Sequence, residues 1–281
     1  VLESTSMPTW DPETMEVSED DHELVQELHN IYENINQAKM LEGWHDAQQI
    51  REESLDLFSL GLLDLRTRAL IERLFWSIAK ECHRISTEIK HPPEEIRMLA
   101  KMLADKYFCN FSLFQSLPDS WAIDQVFPIM PIHRLGEKPD RIATLQDITC
   151  DSDGKIDQFI DLHDVKHTIE LHELDEKPYY LGVFLVGAYQ ESLGDLHNLF
   201  GDTNIIHISV TGKDRYRIER MIEGDTVKDV LSYMQYQKRD ILNSIRRSIE
   251  DAIDEGKISI RDSARILKFL DDGLEGYTYL E

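Results

Sequence analysis

The sequence predicts a mixed α+β fold, because helical and strand-like hydrophobic patterns occupy separate stretches of the chain. Apolar residues recur every three to four positions between residues 19 and 106 and again after Gly224, which is typical of amphipathic helices. Between these stretches, apolar residues alternate or form short runs rich in aromatic and β-branched side chains, which is typical of strands. Four segments are predicted: an irregular leading segment (1–18), a helical bundle insertion (19–106), a β-domain (107–224) and a C-terminal helical domain (225–281).

The first helical stretch predicts an up-and-down bundle of about four helices. Ser18 is a candidate N-cap for the first helix, and the acidic residues after it suit a helix start. The longest helix is predicted from Leu65 to Ile89, where apolar residues keep a near-heptad spacing. Pro92 and Pro93 end that helix, and Glu94 opens the next one.

The middle stretch predicts a mostly antiparallel β-sandwich or barrel of about seven strands, separated by turn signals such as Asp153-Gly154. The stretch from Tyr179 to Tyr189 is apolar on both faces, and we expect it to be a central strand. The predicted strands are 107–114, 126–132, 142–149, 168–171, 179–189, 205–210 and 216–220.

Composition excludes several classes of partner. The chain carries 30 basic and 54 acidic residues, for a net charge of −24, so we expect no nucleic-acid or anionic-membrane partner. No apolar run approaches the roughly 20 residues that span a bilayer. Three widely spaced cysteines form neither a disulfide framework nor a zinc pattern, which indicates a reducing compartment such as the cytoplasm. The N-terminus shows no signal segment and no starting methionine, as expected of a chain that begins within a larger protein.

Cys150 and Asp151 form the most informative pair in the chain. They follow a strand-like run and precede the Asp153-Gly154 turn, which would expose a thiol beside a carboxylate. A working cysteine sits partly exposed, whereas a structural one is normally buried and inert. The sequence alone leaves both readings open, and Asp151 could equally be an ordinary turn carboxylate. No phosphate loop, dinucleotide fingerprint or serine elbow accompanies the pair, so the chain resembles half of a site.

The other candidate residues favour structural roles. His163, His167 and His172 lie close in sequence, but the odd separation of the last two places their rings on opposite faces of a strand, and we expect a solvated loop and strand edge. Asp151, Asp153 and Asp157 only superficially resemble a calcium loop, because Gly154 falls at the wrong position.

Three further interpretations concern five residues. Cys82 and Cys109 are expected in the core. His197 and Asp195 lie near a short helix that follows Tyr189, where a structural role is favoured. Tyr189 is either a core tyrosine bonded to the backbone or a residue whose hydroxyl meets a ligand.

Several motifs together resemble the C-terminal half of the biosynthetic arginine decarboxylase family, which depends on pyridoxal phosphate and has an alanine-racemase-type fold. The resemblance is carried by Thr149-Cys150-Asp151-Ser152-Asp153-Gly154, Gly187-Ala188-Tyr189-Gln190-Glu191, Asn198-Leu199-Phe200-Gly201-Asp202 and the terminal Gly276-Tyr277-Thr278-Tyr279-Leu280-Glu281. It also includes the stretch from Asn110 to Ser116 with Pro118, Asp119, Trp121, Asp124 and Gln125. It extends from about Trp44 onward, and the first forty residues match poorly.

The resemblance implies a role for three residues. Cys150 is similar to the family's cysteine that delivers a proton to the substrate's α-carbon, in the neighbouring subunit's site. Asp151 is similar to the residue that binds the cationic end of the substrate, where a carboxylate suits a guanidinium. Tyr189 is similar to the tyrosine that helps hold the cofactor phosphate. Gln190 and Glu191 share the motif without an assigned role.

The resemblance also implies conversion of L-arginine to agmatine and carbon dioxide on the route to polyamines, a homo-oligomer of two or four subunits, and magnesium as a possible associate. The cofactor-binding (β/α)8 barrel with its Schiff-base lysine is expected upstream of this chain, which alone should be inactive. Two alternatives remain: a related decarboxylase of another basic amino acid, and a non-catalytic oligomerisation module.

Overall fold

The computed structural model describes residues 1–162, 164–213 and 215–280, and it has the mixed helix and sheet composition that the sequence predicts. The described residues form two buried hydrophobic cores, one within the N-terminal helices and one beneath the β-domain sheet. We number helices and strands separately in chain order.

The helical bundle packs around one long helix. Its helices are α1 (Glu23–Asn34), α2 (Met40–Ser59), α3 (Leu65–Thr87), α4 (Glu94–Arg97) and α5 (Leu99–Leu103). Asp64 caps α3, because its carboxylate accepts a hydrogen bond from the Thr67 backbone N–H at 3.0 Å. Leu28, Ile71 and Leu74 have no exposed surface, so the apolar stripe of α3 faces α1 and α2 as its spacing predicts.

Ser18 does not cap the first helix, which begins at Glu23 with His22 at the N-cap position. The Ser18 backbone N–H instead donates to the Asp21 carboxylate at 2.8 Å. Short polar side chains form local turns of this kind in competition with helix, which delays the helix start.

The β-domain is built on a five-stranded sheet of β1, β2, β4, β5 and β8, in which β4 pairs with three neighbours. The β2 and β4 pair is parallel and the other pairs of this sheet are antiparallel. Three two-stranded sheets accompany it, β3 with β9, β6 with β7 and β10 with β11. The strands are β1 (Glu3–Thr5), β2 (Asp105–Phe108), β3 (Ile129–Pro131), β4 (Arg141–Gln146), β5 (Lys155–Ile156), β6 (Phe159–Ile160), β7 (Val165–Lys166), β8 (Ile169–Leu171), β9 (Leu181–Val183), β10 (Ile205–Gly212) and β11 (Arg215–Ile222).

Each of the seven predicted strand regions overlaps a strand, although 107–114 shares only Tyr107 and Phe108 with β2. The described residues form several small sheets and no closed barrel. The leading segment is not wholly irregular, because β1 pairs with β2. The prediction of a central strand from Tyr179 to Tyr189 is wrong. Only β9 forms there, paired with β3 alone, and Leu185 beyond it is 87% exposed. A continuous apolar run does not distinguish a buried strand from an apolar surface.

Short helices connect the strands, and three more close the chain. The connecting helices are α6 (Leu113–Ser116), α7 (Pro118–Ala122) and α8 (Ala188–Ser192), and the closing helices are α9 (Val227–Tyr233), α10 (Lys238–Asp254) and α11 (Ile260–Leu274). Thr226 and Asp229 form a capping box at the start of α9. After α11 the chain returns to the β-domain, where Tyr279 is buried. Among the described helices, none combines the length and the hydropathy needed to cross a membrane.

Candidate active site

Cys150 and Asp151 lie in the connection between β4 and β5, residues 147–154. The two strands pair through Leu145 with Ile156 and Gln146 with Lys155. The sequence predicted a strand up to Thr149 and a tight Asp153-Gly154 turn. The strand instead ends at Gln146, and a longer connection presents the thiol and the carboxylate near its middle.

Buried Asp147 organises this connection. Its Oδ1 accepts hydrogen bonds from the backbone N–H and the hydroxyl of Thr149, at 2.9 and 2.8 Å. Its Oδ2 accepts from the Leu113 backbone N–H at 2.9 Å. The Asp147 N–H donates to the Gly154 carbonyl at 2.8 Å and closes the base of the connection. A buried carboxylate that satisfies three donors fixes the local backbone, because each donor would otherwise lose a hydrogen bond in a buried place.

The Cys150 thiol is exposed, and a side-chain amide contacts it. The Asn198 Nδ2 donates to Sγ at 3.2 Å. The Asp151 carboxylate is half-buried: Oδ1 accepts from the Asp153 N–H at 2.9 Å, and Oδ2 lies 3.3 Å from Nε2 of His197. Nε2 of His197 is buried and makes no hydrogen bond within the described part of the chain, although it lies within ion-pairing distance of Asp151. The pair therefore offers an accessible thiol beside a carboxylate with unused acceptor capacity.

The two contacts that reach the pair from a distant part of the chain come from one short turn, residues 197–199. Asn198 and Leu199 both have left-handed backbone conformations, with φ of 56° and 63°. Asparagine adopts this conformation more readily than most residues. In this conformation the Asn198 amide lies against Cys150. The His197 ring packs on Phe114 with 4.4 Å between centroids. The structural role expected for His197 therefore includes a contact with the candidate pair, and Asp195 supports the turn through its backbone bond to Phe114.

Tyr189 lies in α8, not at the end of a strand, and is 74% exposed. Its hydroxyl makes no hydrogen bond to any described residue. The core reading of Tyr189 is therefore wrong. Gln190, next to it, is buried and exchanges two hydrogen bonds with Asp119, at 2.5 and 3.1 Å. Gln190 thus anchors α8.

Helices α6 and α7 make hydrogen bonds both to the connection that carries Cys150 and Asp151 and to α8, which carries Tyr189. The N-terminus of α6 donates to Asp147, Gln115 donates to Asp202 at 2.5 Å, and Asp119 binds Gln190. Burial raises the pKa of the Asp202 carboxyl, and the nearby carboxylates of Asp225 and Glu191 add to the effect. Sequence reasoning missed Asp147, Asn198 and this support. An aspartate directly after a strand, two residues before a threonine, was the available local signal.

The remaining candidates do not form a second site in the described residues. His172 is buried, not solvated as predicted, and its Nδ1 lies 2.8 Å from the Tyr179 hydroxyl. His167 contacts the Asp157 carbonyl, and His163 lies outside the described residues. Asp157 pairs with Lys101 at 3.0 Å and with Lys155 at 3.7 Å, so it is engaged by cations of the chain itself. No group of three or more His, Cys, Asp or Glu among the described residues is arranged to hold a metal ion.

The other two cysteines occupy the environments that the sequence predicted. Cys82 is fully buried in the bundle, and Cys109 is half-buried against the β-domain core. Burial raises the pKa of the Cys82 thiol to about 12 and that of Cys109 to about 11. Neither thiol is therefore reactive near neutral pH, which singles out Cys150.

Comparison with known families matches two regions of the chain. The arginine decarboxylase helical bundle domain matches residues 18–100, and the arginine decarboxylase C-terminal helical extension matches residues 227–280. The two matches place the chain in the class of arginine decarboxylases that carry both the helical bundle domain and the C-terminal helical extension. The matched ranges overlap two of the four predicted segments, whose boundaries stay predictions.

The similarity to individual relatives covers the whole chain. The chain is 60% identical to the biosynthetic arginine decarboxylase of Bacteroides thetaiotaomicron, and the alignment covers all of this chain and 44% of that protein. It is 47% identical to the corresponding protein of Nostoc sp., covering all of this chain and 41% of that one. The crystal structure of the biosynthetic arginine decarboxylase from Campylobacter jejuni superposes with a TM-score of 0.80 at 33% identity, covering all of this chain and 44% of that chain.

The chain belongs to the biosynthetic arginine decarboxylase family. It spans less than half the length of the curated relatives that it matches. The resemblance, expected only from Trp44 onward, extends over the first forty residues as well.

Proposed function

We propose that this chain is the part of a biosynthetic arginine decarboxylase that supplies the proton donor and the substrate-binding carboxylate to a pyridoxal phosphate site. The observation that carries the proposal is the placement of Cys150 and Asp151, side by side on a connection that buried Asp147 holds rigid. The names of the relatives support arginine as the substrate.

Cys150 suits proton donation to carbon. Decarboxylation breaks the bond between the α-carbon and the carboxylate of arginine, carbon dioxide leaves, and the electron pair stays with the α-carbon. Pyridoxal phosphate, when bound, withdraws that electron pair and so lowers the barrier. The Cys150 thiol gives its proton to the α-carbon, which completes agmatine, and the resulting thiolate takes a proton back from water. The other two thiols are buried or half-buried, whereas that of Cys150 is exposed.

Asp151 suits recognition of the guanidinium. One of its oxygens accepts from the Asp153 N–H, and the other faces a histidine ring without a hydrogen bond in the described residues. A guanidinium forms paired, charge-assisted bonds with such a carboxylate, and a lysine or ornithine ammonium cannot reproduce that geometry.

Tyr189 is the residue of this chain that would hold the cofactor, through its phosphate. Its hydroxyl is exposed and lacks a described partner, so it is available to a phosphate oxygen. The cavity of about 240 Å³ beside α8 is lined in part by the carboxylates of Glu191 and Asp202, which disfavour an anion. A phosphate would therefore meet Tyr189 on its exposed side. Magnesium, the other group that the resemblance implies, is assigned no residue here, because no described cluster fits it.

We propose that other polypeptide segments, absent from this chain, complete the site. Cys150, Tyr189 and Leu199 are all exposed, and a cofactor pocket requires walls on several sides. We propose that the (β/α)8 barrel of a second subunit provides those walls in a homo-oligomer. The cytoplasm is the proposed location, because Cys82, Cys109 and Cys150 are all free thiols. Agmatine would then feed polyamine synthesis.

The test uses the full-length protein with pyridoxal phosphate and labelled arginine. Wild-type protein is expected to release carbon dioxide, and Cys150→Ala is expected to lower kcat by about 10²- to 10⁴-fold, the range for loss of a general acid. Asp151→Ala is expected to lose the preference for arginine over lysine and ornithine. Asp153→Asn, two residues away on the same connection, is the matched control and is expected to behave as wild type.

Two results would contradict the proposal. Equal rates for wild type and Cys150→Ala would remove the proton-donor role. Wild-type protein that decarboxylates lysine or ornithine faster than arginine would favour the related decarboxylase, and no release from any of the three would favour the oligomerisation module.

A further inference from the structure

The last residues that the structure describes, Gly276–Leu280, dock on the β-domain beside the candidate site, and we call them the tail. Two neighbouring tail side chains bind the two backbone groups of a single glycine. The Gly201 N–H donates to Oγ1 of Thr278 at 3.1 Å, and the Tyr279 hydroxyl donates to the Gly201 carbonyl at 2.8 Å. Gly201 itself is buried and crowded, because a Cβ there would lie 2.4 Å from Cβ of Asp225. The tail therefore holds Gly201 in one position.

The other end of the tail binds a second loop. The Asn110 Nδ2 donates to the Leu280 carbonyl at 2.6 Å, and the Leu280 N–H donates back to Oδ1 of Asn110 at 3.1 Å. Phe111, the next residue, accepts a hydrogen bond from the Ile148 N–H at 3.2 Å. Ile148 lies two residues before Cys150, in the connection that Asp147 organises.

The tail is thus linked to Cys150 and Asp151 indirectly, through two loops. Gly201 follows the turn 197–199, whose Asn198 and His197 contact Cys150 and Asp151. Asn110 precedes Phe111, which binds the connection itself. Asn198 and Leu199 have left-handed backbones, so their turn needs support from outside to persist.

We propose that the tail is a positioning element for the candidate active site, with Thr278 and Tyr279 as positioning residues that act on Cys150 and Asp151 through Gly201. The catalytic consequence rests on the function proposed above. The structural consequence, order in the connection 147–154, does not.

The chemistry of the tail suits a permanent contact. The Tyr279 ring packs against Phe200 and Tyr277, each with 5.2 Å between centroids, and 6% of the residue is exposed. Burial raises the pKa of the Tyr279 hydroxyl, so it remains a protonated donor throughout the physiological range. A hydrogen bond from a buried hydroxyl to a buried carbonyl is lost only at the cost of leaving that carbonyl unpaired.

The test compares Tyr279→Phe and Thr278→Val with Tyr236→Phe in the full-length protein. Tyr236 is an exposed tyrosine of the same C-terminal region, so Tyr236→Phe removes a hydroxyl that the tail contacts do not use. Hydrogen exchange of the connection 147–154, read by mass spectrometry, is the first measurement. The second is kcat and KM for arginine.

We expect exchange in the connection to be about fivefold faster in both tail variants than in Tyr236→Phe, as loss of one hydrogen bond would produce. We expect kcat/KM for arginine to fall by about five- to tenfold in the same variants. Exchange at the wild-type rate in both tail variants would overturn the proposal, even if the C-terminal helices themselves became less stable. An inactive wild type would contradict the proposed function alone, because the exchange measurement needs no turnover.

Discussion

The Asp147 carboxylate occupies the space that a β-carbon on Gly154 would need, because a Cβ built there lies 2.1 Å from Oδ1 of Asp147. The same Cβ would lie 2.6 Å from Oγ1 of Thr149. Asp147 cannot move away cheaply, since it accepts three hydrogen bonds in a buried place. Glycine at 154 is thus required by close approach, and the two residues together determine how Cys150 and Asp151 are presented.

Gly154→Ala is therefore expected to disrupt the connection. The methyl group displaces Asp147, and we expect a loss of about 1–3 kcal/mol in the free energy of unfolding. Decarboxylation by the full-length protein should fall by about tenfold or more, because a shift of the reacting groups by an ångström has effects of that size. Chemical denaturation and initial rates are the measurements.

Gly136→Ala is the matched control, since a Cβ at Gly136 has nothing within 4 Å and lies in the same domain. Equal loss of stability or activity in both variants would show that the contact between Gly154 and Asp147 is not what matters.

Asp147→Asn keeps the size of the side chain but turns one acceptor into a donor. Both carboxylate oxygens face donors, so the amide NH₂ must face either the Leu113 N–H or the Thr149 groups. We expect a loss of about 1–3 kcal/mol in stability, the cost of a mismatched buried group.

Hydrogen exchange at Thr149 should accelerate in Asp147→Asn and stay unchanged in Asp153→Asn, whose side chain is exposed. An Asp147→Asn protein with native protection at Thr149 would contradict the organising role of this carboxylate.

The helices could be predicted from the sequence because the signal is local. An apolar residue every three to four positions is sufficient to define the stripe that α3 buries, whatever its partner is. The start of α1 was misplaced only because a local Ser18–Asp21 turn competes with helix.

The site could be predicted only in part, because its geometry depends on contacts between distant residues. Asn198 meets Cys150 across 48 positions, and Asp147 meets Leu113 across 34. Periodicity and turn chemistry carry no information about such pairs. Similarity of motifs identified Cys150, Asp151 and Tyr189 as candidates, and their roles stay predictions.

The contact between Asn198 and Cys150 predicts how the thiol responds to substitution. Asn198→Asp preserves the preference for a left-handed backbone but replaces the donor at 3.2 Å from Sγ by a carboxylate. A like charge disfavours the thiolate, which is the reactive form, so alkylation of Cys150 at neutral pH should slow by roughly three- to tenfold.

Asn198→Gly separates charge from the loss of the donor, since glycine also adopts this backbone freely. The labelling rate of the Cys150 peptide, measured by mass spectrometry, should be lowest in Asn198→Asp and intermediate in Asn198→Gly. Identical rates in all three proteins would show that the amide has no influence on the thiol.

Glu72 predicts the acid sensitivity of the helical bundle. Its carboxylate accepts hydrogen bonds from Arg51 at 2.8 Å and from the Trp76 indole at 2.9 Å, and it pairs with Arg68 at 2.7 Å. Burial alone would raise the pKa of the Glu72 carboxyl, but the two arginines outweigh burial and hold it below the ordinary value of 4.5. The folded bundle therefore binds this proton more weakly than the unfolded chain does, and the stabilisation is present above pH 4.5 and lost as the pH falls through the lowered pKa.

Glu72→Gln should accordingly destabilise the bundle by about 1–3 kcal/mol at pH 7, because it leaves the half-buried arginines with a weaker acceptor. The difference from wild type should shrink as the pH falls from 4.5 through the lowered pKa, because the wild-type carboxylate then takes up a proton and loses its charge. Glu88→Gln is the matched control, since Glu88 pairs with Arg84 on the exposed surface of the same bundle, where such a pair contributes about 0–1 kcal/mol. Urea denaturation at pH 7 and at pH 4 measures both differences. If Glu72→Gln lowers the free energy of unfolding by the same amount at both pH values, then size and packing at this position matter, and not the charge.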